Sequence, residues 1–412
     1  MKSSRIIFFT WLGWAILVIA FQAWADARLI IKWPDNAVLW TTNETGAGYQ
    51  KGQKYLLEPF MNHQVAWDSE YYLAIAVGGY DDPATDLIGP PDNQLTKSYS
   101  FLPFFPLLIR LFMVPLSLLG LNPIATATLA GVIVSALGAL GAMFALYDMT
   151  KDSLGEEGGL RAAFYLIIFP TGFFLVQVYT EGVFVGLVFG CLALLNRKQW
   201  VLAALLAVGA TLTRAVGVSL IVPMLIDWIR SGDWTDLDVE WKQIYLQGLP
   251  WQSVARAVAA FAPLIAFLIW KFSYYGLAFD FVEQTFFGST FMDIPGAIQD
   301  WTQAFQSLSF DIQQRGANYS IIIVLFILSL IACFKCMRNY PEVAWLSLTI
   351  ILISWGSGPA SGMHRYILTA PAVFIALADW GRNPVFDRVW TIASILWMGL
   401  LSALFAMNMW VA

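Results

Sequence analysis

The chain reads as an all-α polytopic membrane protein, and three features of its sequence predict that class. Charged residues make up 12% of the 412, while 58% are hydrophobic and 16% aromatic. Soluble domains carry about 25% charged residues, so this chain has too little polar surface for water on all sides. Apolar runs approaching the roughly 20 residues of a membrane helix recur along the sequence, and in hydrocarbon only helices and closed barrels satisfy their own backbone. The net charge of −5 offers nothing to nucleic acid, and no such partner is expected.

Candidate spans fall at 6–25, 124–147, 160–177, 182–196, 199–212, 214–230, 254–275, 319–334, 342–356, 363–378 and 389–410, about eleven in all. The first has a basic start, Lys2 and Arg5, and ends near the "AWA" at 23–25. A cleaved signal competes with a first span there. The apolar core exceeds the 7–15 residues typical of a signal peptide, so the reading is an uncleaved span. Several later candidates are shorter than a perpendicular span needs, and some of those helices are expected inside the protein. Cys191, Cys333 and Cys336 lie in or beside apolar runs with no histidine nearby, and read as small core residues.

Basic residues at Lys2, Arg5, Arg197, Lys198, Arg230, Lys335, Arg338, Arg382 and Arg388 orient the chain if they are cytoplasmic. Segments 26–100 and 276–318 then become external loops of a single membrane domain. The run "FLPFFPLLIRLFMVPLSLLG" at 101–120 carries Pro103, Pro106 and Pro115 with a lone Arg110. Prolines break the helical ladder, so this element reads as re-entrant or interface-lying.

Segment 26–100 holds ten acids against five basic residues. Asp81, Asp82, Asp86 and Asp92 sit among Gly and Pro and read as solvated turn residues. Asp68 differs. From Trp67 to Gly78 the pattern fits a helix near the membrane surface, with Trp67, Tyr71 and Ile75 on one stripe and Asp68, Tyr72 and Ala76 on the next. A carboxylate there can act as a base, hold a metal, cap the helix or pair with a cation. Glu70 points elsewhere and reads as solvated surface.

Other polar residues stand where apolar ones are cheaper. Glu181 lies between two apolar runs and needs a partner. Arg214 opens another run on the external side, against the inside bias for positive charge, which calls for an anion such as Glu181, Asp68 or a lipid phosphate. His364-Arg365-Tyr366 follows "WGSGPASGM", a small-residue turn at a helix start that suits an anion. Two histidines, with no HxH or HExxH pattern, give no metal ligand set. No G-x-G-x-x-G, P-loop or G-x-S-x-G is present. Residues alone leave two readings: an enzyme acting on lipid phosphates, or a transporter or flippase for a lipid-linked or anionic substrate.

Five segments, "WDSEYYLAIAVGGY" (67–80), "SFLPFFPLLIRL" (100–111), "FPTGFFLVQVYTEGVF" (169–184), "LTRAVG" (212–217) and "HRYIL" (364–368), resemble in order the motifs of the PIG-V-like mannosyltransferases. The resemblance implies a GT-C glycosyltransferase fold and an active site on the external face of a membrane, with a polyprenyl-phosphate sugar, typically mannose, as donor. It implies a hydroxyl acceptor on a glycolipid, glycan or protein, and inversion at the sugar. Asp68 would be the general base and Glu181 a second catalytic acid. Arg110, Arg214, His364, Arg365, Tyr366, Trp67 and Tyr72 would bind donor phosphate or substrate. The resemblance fixes no cofactor and leaves use of a divalent metal open, and the compact loops look prokaryotic.

Overall fold

The computed structural model describes residues 2–31, 33–38, 52–85, 87–88, 94–230, 251–287, 291–309 and 312–411. Asp86, Asp92 and most of segment 231–253 lie outside the described residues. The described chain is helical apart from one antiparallel ribbon, β1 (Leu87–Ile88) with β2 (Leu95–Thr96), in which Leu87 faces Thr96.

The helices run α1 Lys2–Arg28, α2 Ser69–Val77, α3 Phe104–Leu116, α4 Pro123–Ile168, α5 Glu181–Asn196, α6 Trp200–Thr211 and α7 Ile221–Arg230. They continue with α8 Trp251–Lys271, α9 Phe279–Val282, α10 Ile294–Ser307, α11 Gln313–Cys336, α12 Pro341–Ser357, α13 Met363–Ile367, α14 Pro371–Trp380 and α15 Pro384–Ala406. Proline opens α4, α12, α14 and α15, where its missing N–H is one the helix would leave unbonded anyway. Asn122 and Asn383 cap two of these starts, accepting from Ala125 N and Val385 N at 2.9 Å.

The chain is an integral, multi-spanning membrane protein. Five described helices, α1, α4, α8, α11 and α15, are long and apolar enough to cross a membrane, which corrects the expectation of about eleven. Hydropathy counts apolar residues whether they face lipid or protein. Helix α14 is ten residues long, and Pro371–Ala378 is buried throughout in protein. Helices α5, α6 and α12 have 16, 12 and 17 residues, short of a perpendicular crossing at 1.5 Å per residue. Candidate span 124–147 and the first half of 160–177, to Ile168, share one 46-residue run, interrupted at Gly155 (φ 77°, ψ 169°). The proline-rich element is a 13-residue helix, α3, with Phe105, Pro106 and Ile109 buried.

Helices α4 and α5 form the centre, with α1, α3, α14 and α15 against α4. Glycines bring their backbones together. A Cβ at Gly182 would stand 2.2 Å from the Ser135 carbonyl oxygen, and one at Gly138 2.3 Å from that of Gly182. Such close approach gains packing where water supplies no hydrophobic drive. It also fixes Glu181, the first residue of α5.

Helix α2 packs inside the protein. Ser69 to Ala76 are all buried, so the element is covered by protein. Glu70, expected to be solvated, is 2% exposed. The cover comes from the loops on either side. Tyr55 hydroxyl donates to the Asp82 carboxylate, and Tyr99 hydroxyl donates to Asp81 Oδ1 at 2.5 Å. Those two aspartates are therefore tied down by phenols. The cysteines Cys191, Cys333 and Cys336 are free and buried.

Candidate active site

The site forms where helices stop. Membrane-depth backbone can leave the helix only where protein covers it, and residues 169–180 do so between α4 and α5, every one of them buried. Arg214 lies in the break after α6, and Arg365 in the short α13 between α12 and α14. Thr171 hydroxyl donates to His364 O at 3.1 Å, joining two of these breaks.

Four charges meet there. Arg365 Nη1 donates to Asp68 Oδ2 at 3.0 Å. Its Nε lies 3.0 Å from Glu181 Oε1, although that N–H is not aimed at the oxygen, so the contact is an ion pair rather than a hydrogen bond. Arg214 Nη1 donates to the same Glu181 oxygen and, at 3.3 Å, to Thr180 Oγ1. Two carboxylates and two guanidiniums alternate, so the cluster is neutral overall. Burial decides its layout: the Glu181 side chain is 0% exposed, Arg214 10%, Arg365 14% and Asp68 21%. Glu181 is the floor and Asp68 the rim.

Aromatic rings wall the cluster. Arg214 lies 4.8 Å from the Tyr366 ring centre and Arg365 5.4 Å from that of Tyr179, distances at which a ring face attracts a cation. Tyr72 packs edge-to-face with Phe101, Phe105 and Tyr179.

Asp68 stands at the N-cap position of α2 but makes no side-chain capping bond, so its carboxylate is given to Arg365. Trp67 before it has φ 52°, a left-handed conformation that costs a bulky residue on the order of 1–3 kcal/mol. Tyr179 hydroxyl bridges this point, donating to Ala66 O at 3.0 Å and accepting from Asp68 N at 3.3 Å. The Trp67 ring meets Trp410 edge-on at 4.9 Å.

Residues 50–230 match a family model described as Mannosyltransferase (PIG-V). No curated protein matches the chain significantly. Among solved structures, the apo oligosaccharyltransferase of Archaeoglobus fulgidus is similar at 12% identity and a TM-score of 0.42, over 98% of this chain and 56% of that one. The chain thus spans little more than half of that protein. ArnT from Cupriavidus metallidurans, bound to undecaprenyl phosphate, is similar at 12% identity and a TM-score of 0.47, over 86% of this chain and 72% of that one. A second Archaeoglobus fulgidus oligosaccharyltransferase structure, in complex with Zn and sulfate, is similar at 16% identity and a TM-score of 0.42, over 96% and 53%.

The matched stretch contains Asp68, Glu181 and Arg214, whereas Arg365 and Tyr366 lie beyond it. The fold brings these five together with Trp67 and Tyr72 at the edge. Arg110 goes elsewhere: its Nε and Nη2 donate to Ala76 O and Ile75 O at 2.9 and 3.0 Å, closing the C-terminal end of α2. His364 is 1% exposed, and neither of its ring nitrogens bonds to the acids or arginines of the cluster. Tyr179 was not singled out from sequence, although it stands two residues before Glu181 in the same motif. Each carboxylate already holds a guanidinium, and no group of three His, Cys, Asp or Glu among the described residues is placed to bind a metal ion.

Proposed function

We propose that the protein is a membrane glycosyltransferase of the GT-C type. It moves a hexose, mannose, from a polyprenyl-phosphate donor to a hydroxyl acceptor on a glycolipid, glycan or protein at the external face, with inversion. The observation that carries this reading is the Asp68 carboxylate at the rim of a buried cluster containing two arginines. An oxygen nucleophile needs a base, and a departing lipid phosphate needs positive charge where its own charge develops.

Asp68 takes the proton from the acceptor hydroxyl as its oxygen bonds to the sugar C1. On the opposite face the C1–O bond to phosphate breaks, and the electron pair leaves with the polyprenyl phosphate. Arg214 and Arg365 face that charge with the guanidinium hydrogens left over from Glu181 and Asp68, and Tyr366 and Tyr72 wall the sugar. Glu181 holds both guanidiniums in place.

The test is transfer of labelled mannose from synthetic polyprenyl-phosphate mannose by purified protein, with a membrane extract of its own source cell as acceptor. Label appearing in a new product supports the reading. Label that crosses proteoliposome bilayers and enters no product overturns it in favour of a flippase.

A further inference from the structure

Three fully buried glutamines join the two segments that carry the acids, and nothing in the proposed chemistry uses them. Gln22 lies in α1, Gln64 four residues before Asp68, and Gln177 four residues before Glu181. Their exposures are 0%, 1% and 0%. Gln22 Oε1 accepts from Gln64 Nε2 and from Gln177 Nε2, both at 3.1 Å. Gln22 Nε2 donates to Ser402 O of α15 at 3.3 Å. Gln177 Nε2 also donates to Phe173 O at 3.1 Å. Beside this hub Val178 N donates to Gln64 O at 3.1 Å, a main-chain bond between the same two segments.

Uncharged amides inside an apolar bundle are costly unless bonded, and a bonded network holds its members in one arrangement. One oxygen on a membrane helix here receives one N–H from each acid-bearing segment. Neither segment can slide along α1 without breaking its bond to that oxygen. We propose that Gln22 is a positioning residue: it sets the separation of Asp68 and Glu181, and so the span that Arg365 bridges. This rests on the transfer reading for its kinetic consequence, though the clamp itself does not.

Gln22→Met keeps length and loses both the acceptor and the donor. Gln22→Glu, protonated in this interior, keeps a carbonyl oxygen for the two amides and a hydroxyl for Ser402 O. Hydrogen exchange on full-length protein in detergent reads the clamp directly. Gln22→Met should lose protection in residues 61–68 and 172–181 together while other regions keep theirs. Gln177→Met, used alongside should Gln22→Met not fold, should loosen 172–181 more than 61–68. In the transfer assay kcat should fall about 10–100-fold, as misplacement of reacting groups by about 1 Å does. Donor KM should stay within about threefold, and Gln22→Glu should restore both protection and kcat.

Wild-type exchange in both segments of Gln22→Met, or a Gln22→Glu as loose as the methionine variant, would overturn the proposal. If the wild-type protein transfers no sugar, the transfer reading fails while the exchange result still decides the clamp.

Discussion

Replacing Glu181 by glutamine perturbs the ion cluster at its deepest point. The change keeps size and removes one negative charge, so the neutral set of two acids and two arginines becomes +1. Arg365 retains Asp68 at 3.0 Å, whereas Arg214 loses its one ionic partner and keeps neutral ones, Thr180 and the Tyr366 and Phe184 rings. Breaking a buried pair from one side costs about 3–5 kcal/mol. Side-chain exposures of 0% for Glu181 and 10% for Arg214 leave little solvent to screen the loss. The amide oxygen can still accept from Arg214, which points to the lower end, about 3 kcal/mol, or about two decades in the folded-to-unfolded ratio. Arg214→Met leaves the cluster at −1 and should cost a similar amount. The double variant is neutral again and retains the Arg365–Asp68 pair, so it should be more stable than the sum of the single losses by about 2 kcal/mol. Unfolding in mixed micelles of native detergent and dodecyl sulfate, run as a double-mutant cycle, measures this. Additive losses, or a Glu181→Gln cost under about 1 kcal/mol, would refute the argument that the two charges depend on each other.

Other expectations follow from single contacts. Arg365→Lys keeps the charge but can reach only one acid at a time, so affinity for polyprenyl phosphate should fall about tenfold with the protein still folded; unchanged binding in a calorimetric titration would remove Arg365 from the phosphate site. Gly182→Ala places a methyl 2.2 Å from the Ser135 carbonyl oxygen and should cost about 1–3 kcal/mol, whereas Gly141→Ala, with nothing within 4 Å, should be near neutral; equal thermal stability of the two would refute the close-packing account. Burial, with the hydrogen bond and charge of Asp82 and the charge of Glu70, pushes the Tyr55 phenol well above its ordinary 10. Its folded value is the higher one, so its contribution to stability is complete below about pH 10 and is lost as pH rises from there through the folded value. A phenolate absorbance titration should show one tyrosine ionising late that is missing in Tyr55→Phe; ionisation of Tyr55 near 10 would contradict it.

Much of the candidate site was legible because its residues break local rules. An aspartate among aromatics, a glutamate between two apolar runs and an arginine opening a third each needed a partner, and each has one in the cluster. Which partner each would choose was not legible. Arg365 and Asp68 are 297 positions apart, and only the tertiary fold, which brings α13 within reach of the start of α2, decides the pairing. Arg110 broke the same rule for another reason, since its guanidinium serves the carbonyls ending α2. The count of spans failed because apolar composition is the same whether a helix meets lipid or protein, as α14 illustrates. Glu70 misled because the loops before and after α2, with Tyr55 and Tyr99, fold over it, a tertiary cover that no local pattern reports. Gln22 was visible as a polar residue in the apolar run of α1, but its two acceptor bonds come from residues 42 and 155 positions away.

The central claim is that the carboxylate at Asp68 removes the acceptor proton, and Asp68→Asn tests it most directly. Asparagine keeps the size and an oxygen for Arg365 but cannot take the proton. With purified, correctly inserted protein and labelled polyprenyl-phosphate mannose, the transfer rate should fall about 10²–10⁴-fold, the usual worth of a general base, while donor binding stays within about threefold. An Asp68→Asn protein that binds donor and transfers sugar at close to the wild-type rate would contradict the account.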